Sequence, residues 1–473
     1  MSRIRTTSPE LLLELDRSRP RGLRAQIEDE LRGAIRGGRL APGAPLPSSR
    51  ALASDLGVTR GVVVAAYDQL ISEGYLLSRR GAGTVVNDAR GRAVPARPPA
   101  HPTPVEIDFR PALPDLDLFP RDAWLRATRT ALHTLPRDDL SYRDPRGLPV
   151  LRHALAGHLA RVRGVSVDPE RVVVCAGYGH GLSLVAHVLR DLGHTTAAVE
   201  DPGYDGTRDG LRAAGLRPLP TPVDADGIVV DRIAPSTRIV AVTPAHQSPT
   251  GAVLSPERRT ALVAWARDVD GYVIEDDYDA EYRYDRQPVG AVQGLDPDHV
   301  VYCGTASKSL APGMRLGWLV LPPGLVDPVV DVRRATDLAT ASILQATYAA
   351  FLERGDLDRH LRRMRRTYRV RRDALIESLA TWLPDVSPRG ASAGLHVLVG
   401  LPPGLREQDL ADRALEDGVR VYPLGTYRVR RRPDDEHGLV LGYGQLAPTL
   451  LERGVQVLGA AAAEVRGRPE PAR

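Results

Sequence analysis

Over residues 23–40 apolar side chains fall at Leu23, Ile27, Leu31 and Ile35. That spacing gathers one stripe on one face of a helix, and Gly37-Gly38 closes it. Leu46-Pro47-Ser48-Ser49-Arg50 then interrupts the pattern and offers a serine N-cap to a short second helix over 50–56, which Gly57 ends. Thr59 caps a third helix running to about Glu73, with Val63, Ala66, Tyr67, Leu70 and Ile71 on one face. Two short strands follow over 75–86, around Arg79-Arg80-Gly81-Ala82-Gly83. Two helices joined by a tight glycine turn, then a hairpin, predict a helix-turn-helix with a wing.

The pattern then lapses. Residues 87–107 are proline-rich and nearly free of apolar bulk, which predicts an extended, semi-stiff tether. From 108 onward continuous apolar runs at 171–176, 195–200, 238–243, 271–276, 299–303 and 316–321 alternate with helical spacing over 180–191, 204–215 and 255–268. Such runs, with helical crossovers between them, predict an α/β fold whose mostly parallel sheet is covered on both faces. The expected division is a winged helix over 10–86, a tether over 87–107, and a large α/β domain over 108–466, with 467–473 as a disordered tail. A chain of 473 residues exceeds one ordinary core, in keeping with that division.

Composition narrows the class. Hydrophobic residues make up 42% and charged ones 26%, values of a soluble globular protein. No run of 18 apolar residues exists, and Met1-Ser-Arg-Ile-Arg-Thr lacks a hydrophobic signal core, so a cytoplasmic protein with no membrane partner is expected. Cys175 and Cys303 stand far apart in apolar runs and read as reduced core residues. The net charge of +4 is uneven: residues 1–100 hold 16 Arg against 10 Asp and Glu, while the remainder holds 47 Arg and Lys against 49 acids. A basic head on a near-neutral body suggests a polyanionic partner for the head.

The candidate chemistry gathers at the ends of the predicted strands. Lys308 is the only lysine of the chain. A coding preference for arginine explains the absence of lysine elsewhere, but not the one exception. Lysine can lose its proton and attack a carbonyl, which arginine cannot do. The run at 171–176 leads into Gly177-Tyr178-Gly179-His180-Gly181, a glycine turn opening a helix and a plausible phosphate cradle. The next run ends at Glu200-Asp201-Pro202-Gly203-Tyr204, which sets an aromatic ring on a turn, and Thr243–Gly251 forms a polar turn that includes Ser248. The run at 271–276 ends in Asp276 and continues to Tyr278, and Thr305 and Ser307 flank Lys308, with Arg315 seven residues on. Amine, carboxylate, hydroxyls, arginine and glycine turn are what pyridoxal 5'-phosphate (PLP) requires: a lysine for the Schiff base, an acid for the pyridine nitrogen, and donors for the phosphate. No metal is expected at Glu275, Asp276, Asp277 and Asp279, because successive residues on a strand face opposite ways.

Two sets of strings carry a family resemblance. Gly-Arg-Leu-x-Pro-Gly-x-x-Leu-Pro-Ser-Ser-Arg, Leu-Gly-Val-Thr-Arg and Gly-x-Gly-Thr-x-Val, within 22–86, resemble the winged helix of GntR-type bacterial regulators. The resemblance implies that Arg50, Thr59, Arg60, Gly61, Arg80 and Gly81 face double-stranded DNA. Tyr142-Arg-Asp-Pro-Arg-Gly-Leu-Pro149, Thr-Pro-x-His-Gln-x-Pro-Thr-Gly, Glu-Asp-Asp-Tyr-Asp-x-Glu-Tyr and Gly-Thr-x-Ser-Lys-x-Leu-x-Pro resemble fold-type I aminotransferases and, joined to the winged helix, the MocR subfamily of those regulators. This implies a homodimer with Lys308 as the Schiff-base lysine, Asp276 on the pyridine nitrogen, Tyr278 at the ring hydroxyl and Tyr204 on the ring. Thr305, Ser307, Arg315 and the amides of Gly177, Tyr178 and Gly179 would hold the phosphate.

Two departures bear on activity. Ser248 stands where aminotransferases commonly carry an asparagine to the ring hydroxyl, and it is a shorter group. Amino-acid-specific members carry a late-strand arginine for the substrate carboxylate, but 438–443 reads Gly-Leu-Val-Leu-Gly-Tyr. Arg428, Arg430 and Arg208 fit that role only loosely. The expected function is therefore a PLP-binding transcription regulator that senses an amine, an amino acid or PLP itself and controls operator binding. The alternative is an active aminotransferase carrying a DNA-binding domain. The arginine-dense run over 359–372 reads as a solvated or dimer-facing helix.

Overall fold

The computed structural model describes residues 3–5, 11, 13–17, 22–79, 83–87, 104–142, 144–284, 289–432 and 435–467. It divides into two units, Met1–His101 and Pro102–Arg473. In the first, β1 (Arg3–Arg5) pairs antiparallel with β2 (Glu14–Asp16). Then come α1 (Leu23–Arg36), α2 (Ser49–Asp55), α3 (Arg60–Ser72), β3 (Leu76–Arg79) and β4 (Gly83–Val86). The stripes meet as expected: Ile27 and Leu31 of α1, Leu52 of α2, Val63 and Leu70 of α3 and Leu76 of β3 form one core. The Ser48 hydroxyl caps α2, accepting from the Ala51 amide at 3.2 Å. Between the strands of the hairpin Arg79 faces Gly83, and Pro45 bridges to Val85. Arg80 and Gly81 lie outside the described residues.

The second unit runs through β5 (Ile107–Asp108), α4 (Arg121–Thr134), α5 (Pro149–Arg163), β6 (Val172–Cys175), α6 (Tyr178–Asp191), β7 (Thr196–Asp201), α7 (Asp205–Ala213), β8 (Arg217–Asp224) and β9 (Gly227–Ile228). It continues through β10 (Ile239–Val242), α8 (Pro256–Asp268), β11 (Tyr272–Asp277), β12 (Val300–Thr305), β13 (Gly317–Val320), α9 (Pro323–Thr336), α10 (Ser342–Glu353) and α11 (Asp356–Trp382). The last elements are β14 (Ser387–Arg389), β15 (His396–Gly400), α12 (Glu407–Glu416), β16 (Val419–Arg420), β17 (Tyr422–Pro423), β18 (Gly438–Gly442) and α13 (Pro448–Gly467). Residues 468–473, in the stretch read as a tail, lie outside the described residues.

All six predicted strands lie in one eight-stranded sheet of order β6-β13-β12-β11-β10-β7-β8-β9. It is parallel from β12 across to β8, while β13 runs antiparallel to both its neighbours. Alternate strand residues go to opposite faces. Val173, Cys175, Ala241, Ile274 and Cys303 pack with α6 and α9, whereas Val172, Val174, Val240, Val273 and Val300 serve the other side. Pattern reading missed β8, whose Pro218, Pro220 and Pro222 argue against a strand. Its odd-numbered residues bond towards β7, beginning with the Arg217 amide on the Thr195 carbonyl, so the prolines turn their missing N–H groups to the other side, which β9 covers only near Val223 and Asp224.

Both ends of the 87–107 stretch are packed. Asn87 donates to the backbone of Tyr75 and Gly74, and Ile107 is buried where β5 pairs parallel with β16. From there the chain bears on β18. The Gly442 amide donates to the Phe109 carbonyl at 2.8 Å. The arginine run lies within α11 and its side chains divide: Arg362 and Arg366 are exposed, as expected of a solvated helix, while others clamp backbone carbonyls. Arg363, Arg365 and Arg372 donate to the carbonyls of Leu118, Glu281 and Ala391 at 2.9, 2.6 and 2.9 Å, and Arg369 and Arg371 reach those of Tyr284 and Gly444. The sequence gives no sign of the carbonyls that stand opposite.

Candidate functional site

Alternation along β11 sorts its acids. Glu275 turns away from the site and accepts the Val292 and Gln293 amides at 2.9 Å each. Asp277, on that same side, takes a forked contact from Arg163 at 2.7 and 3.0 Å and the Tyr302 hydroxyl at 2.6 Å. Asp276 alone of the three turns into a cavity of about 760 Å³ that it shares with Lys308. The cavity sits beyond the carboxyl ends of the parallel strands, where open α/β sheets bind their ligands. Asp276 is buried, and its Oδ1 finds no partner among the described residues. Burial, reinforced by Asp277, holds its carboxyl well above the usual range, with Lys308 acting against that. What the group lacks is a cationic N–H donor.

The Lys308 amine lies below the ordinary lysine range because of burial, an effect opposed by Asp276 and Asp279 and aided by Arg110. On one side of it stands an anion-binding wall. α6 opens at Gly177, where φ of 91° suits glycine, and an added Cβ there would come within 3.4 Å of the Arg315 guanidinium. Arg315 is itself left-handed at φ 50°. Thr305 donates to the Ser307 hydroxyl at 2.8 Å, and both line the cavity with Tyr178, Gly179 and Arg315. Free amides at a helix N-terminus, two hydroxyls and a guanidinium suit a phosphate. Tyr204, at the N-cap of α7, lines the same cavity and is 45% exposed, with its ring laid across Gly206. The donor set matches a pyridine aldehyde that carries a phosphate.

Tyr278 and Ser248 also line the cavity. Behind them lies a cluster of His246, Asp279 and His396, of which the first two fall within the quoted motifs and His396 within none. His246 Nδ1 is 3.1 Å from the Tyr278 hydroxyl and 3.0 Å from Asp279 Oδ2, and the rings of His246 and His396 are 5.0 Å apart. All three are buried, and their ligand atoms lie within 4.8 Å of one another. Glycine makes room for the cluster, since a Cβ at Gly394 would meet the His246 ring at 2.1 Å.

None of the three loosely fitting arginines lines this cavity. Arg208 is buried and spends its donors on the carbonyls of Gly203, Thr426 and Tyr427. Arg428 faces Asp435 at 3.5 Å, and Arg430 is exposed beside a separate groove along β8. The late strand presents Val440 to the cavity. The arginine besides Arg315 that does line it is Arg110, at the end of the stretch that follows β5, a position no sequence motif marked.

In the first unit Arg50, Thr59, Arg60 and Gly61 are all exposed, around the starts of α2 and α3. The Thr59 hydroxyl makes no cap bond, and Arg60 reaches back to the Ser49 hydroxyl at 3.4 Å, joining the two helix starts. Tyr67 donates to the Pro47 carbonyl at 2.9 Å and fixes the turn between them. This face offers free first-turn amides and two guanidinium groups to a phosphate backbone.

Comparison with known proteins agrees with both units. Residues 23–86 match the family described as bacterial regulatory proteins, gntR family, and residues 114–435 match aminotransferase class I and II. The probable rhizopine catabolism regulatory protein MocR of Rhizobium meliloti is 34% identical over 95% of this chain and 96% of its own length. The pyridoxine biosynthesis transcriptional regulator PdxR of Corynebacterium glutamicum is 35% identical over 92% of this chain and 95% of its own. The crystal structure of Pyrococcus horikoshii kynurenine aminotransferase, in complex with PMP, superposes with a TM-score of 0.69 at 26% identity, covering 76% of this chain and 91% of that one.

Proposed function

This chain belongs to the MocR subfamily of GntR-type transcription regulators, and we propose on that premise that its aminotransferase-like domain holds PLP and senses a small effector that alters operator binding. The effector is an amine, an amino acid or the cofactor itself. The observation that carries the reading is the buried Asp276 carboxyl, whose Oδ1 has no partner among the described residues, in one cavity with the chain's only lysine.

When bound, PLP supplies an electrophilic carbon and an electron sink. Lys308, its proton loosened by burial, is the amine that holds the aldehyde end. Asp276 accepts from the pyridine N–H, which relieves the strain of its own burial. Tyr278 and Ser248 serve the ring hydroxyl, with His246 and Asp279 fixing the Tyr278 hydroxyl from behind. Tyr204 lies on the ring and excludes water. Arg315, Thr305, Ser307 and the amides of Gly177, Tyr178 and Gly179 hold the phosphate.

Around the DNA, Arg50, Thr59, Arg60, Gly61, Arg80 and Gly81 form the contact set, and a cytoplasmic homodimer presents two such sets to paired half-sites. Sensing is favoured over turnover because relatives matched over nearly their whole length, MocR and PdxR, are named as regulators. Purified protein loaded with PLP is expected to show a visible absorption band that Lys308→Ala abolishes. A colourless wild type that cannot be loaded would sink the reading. Many turnovers with an amino acid and an oxo acid would favour the aminotransferase alternative.

A further inference from the structure

We infer that Arg110 is the carboxylate anchor of this site, so that the effector is an amine carrying a carboxylate. The inference rests on the proposed cofactor reading and deepens it. A cavity that holds a phosphate beside a lysine needs a second cation if it is to take an effector's carboxylate as well. Arg315, beside Gly177 and the start of α6, belongs to the anion-binding wall. The rest of the lining includes Tyr422, Val440 and the stretch from Arg110 to Leu113. There the late strand offers an aliphatic side chain where an acid-binding arginine would be needed, and the chain supplies one from elsewhere.

The backbone explains how Arg110 comes to lie there. Phe109 accepts the Gly442 amide at 2.8 Å, and an added Cβ at Gly442 would stand 2.0 Å from the Arg110 carbonyl oxygen. An added Cβ at Gly444 would likewise meet the Leu113 oxygen at 2.2 Å. The 109–113 stretch is thus laid directly on the late strand, a close approach that only glycine allows. The stretch is pinned from behind as well. Asp115 takes Arg371 at 2.6 Å, and its amide donates to the Tyr368 hydroxyl at 3.0 Å.

The guanidinium of Arg110 has no hydrogen bond or ion pair among the described residues, whereas Arg208 and Arg428 are engaged. Its charge is felt at three groups around the same space: burial lowers Lys308 and Arg110 adds to that, while burial raises Tyr204 and Tyr422 and Arg110 opposes it. A free guanidinium beside the reactive amine suits a carboxylate bound by two parallel N–H bonds. An amine lacking that group leaves it unused.

The test compares matched pairs on the PLP-loaded full chain: L-alanine and β-alanine against ethylamine, and 4-aminobutanoate against propylamine. Binding is read from the change in the visible band and, separately, from the rise in the unfolding midpoint. For the best acid of the series the half-saturating concentration should be lower than that of its decarboxylated partner by about tenfold or more. Arg110→Gln should bring that ratio close to one, and Arg110→Lys should retain part of it, since charge survives but the fork does not. Gly442→Ala, which pushes on the Arg110 carbonyl without touching its side chain, should also lower the ratio. Arg430→Gln should leave it unchanged. The inference is overturned if Arg110→Gln keeps the wild-type ratio, if Arg430→Gln abolishes it, or if the wild type shows no preference for any acid. In that last case an intact visible band leaves the cofactor reading standing, while a colourless wild type removes both.

Discussion

The imidazole of His396 borders the cofactor cavity, and burial, aided by the neighbouring His246, pushes it down to about 3 from an ordinary 6.5. The folded protein therefore keeps this ring neutral at pH values where the unfolded chain protonates it. Stability falls as pH drops below 6.5 and stops falling near 3. Between pH 6.5 and 5 this single group should withdraw about 2 kcal/mol from the second unit. All four tryptophans, Trp124, Trp265, Trp318 and Trp382, lie in that unit, so urea unfolding followed by their fluorescence reports on it alone. His396→Gln should show an acid-induced loss smaller by about that amount, and an unchanged pH profile would refute the assignment. Other residues of the site differ in how much of their role the sequence discloses. Alternation separates Asp276 from Glu275 and Asp277, so its direction is legible from the strand pattern alone. Nothing comparable marks His396 or Arg110, whose roles depend on elements far away in the chain.

Within α11 the arginines divide between clamping and solvation. Arg371 and Asp115 form a nearly buried pair, with side chains 11% and 9% exposed, and Arg371 also reaches the Gly444 carbonyl. Removing the cation leaves a buried carboxylate unpaired, so Arg371→Met should lower the stability of this unit by about 3 kcal/mol in the same urea experiment. Arg366 is exposed on the same helix, and Arg366→Ala should stay within about 0.5 kcal/mol of wild type and leave DNA affinity intact. Equal losses in the two variants, or weakened DNA binding in Arg366→Ala, would return the helix to a solvated or nucleic-acid-facing role. The helix itself is legible in the sequence, but which carbonyls its side chains cap is not. Long arginine stems bury themselves wherever a carbonyl stands opposite, and the composition of the run cannot say where that is. β8 shows the converse limit, since its prolines signal a break and yet turn their missing N–H groups away from β7, on the side where β9 pairs only with its last residues.

Across the whole molecule the order of units reads cleanly from the sequence, because apolar periodicity changes from helical stripes to continuous strands on either side of a proline-rich stretch. The meeting of Phe109 and Arg110 with Gly442 does not, since it joins the two ends of the aminotransferase-like unit through backbone contacts that leave no local pattern. A basic head and a cofactor-shaped body make one regulator only if occupancy of the second changes the hold of the first on DNA. The direct measurement is fluorescence anisotropy of the full chain on a duplex enriched from a random pool, at fixed salt. It is made with and without PLP, for the wild type and for Lys308→Ala. The account predicts an affinity that shifts several-fold or more with PLP, or with PLP and an amino acid, in the wild type alone. An affinity indifferent to both, or a Lys308→Ala protein that responds as the wild type does, would contradict it.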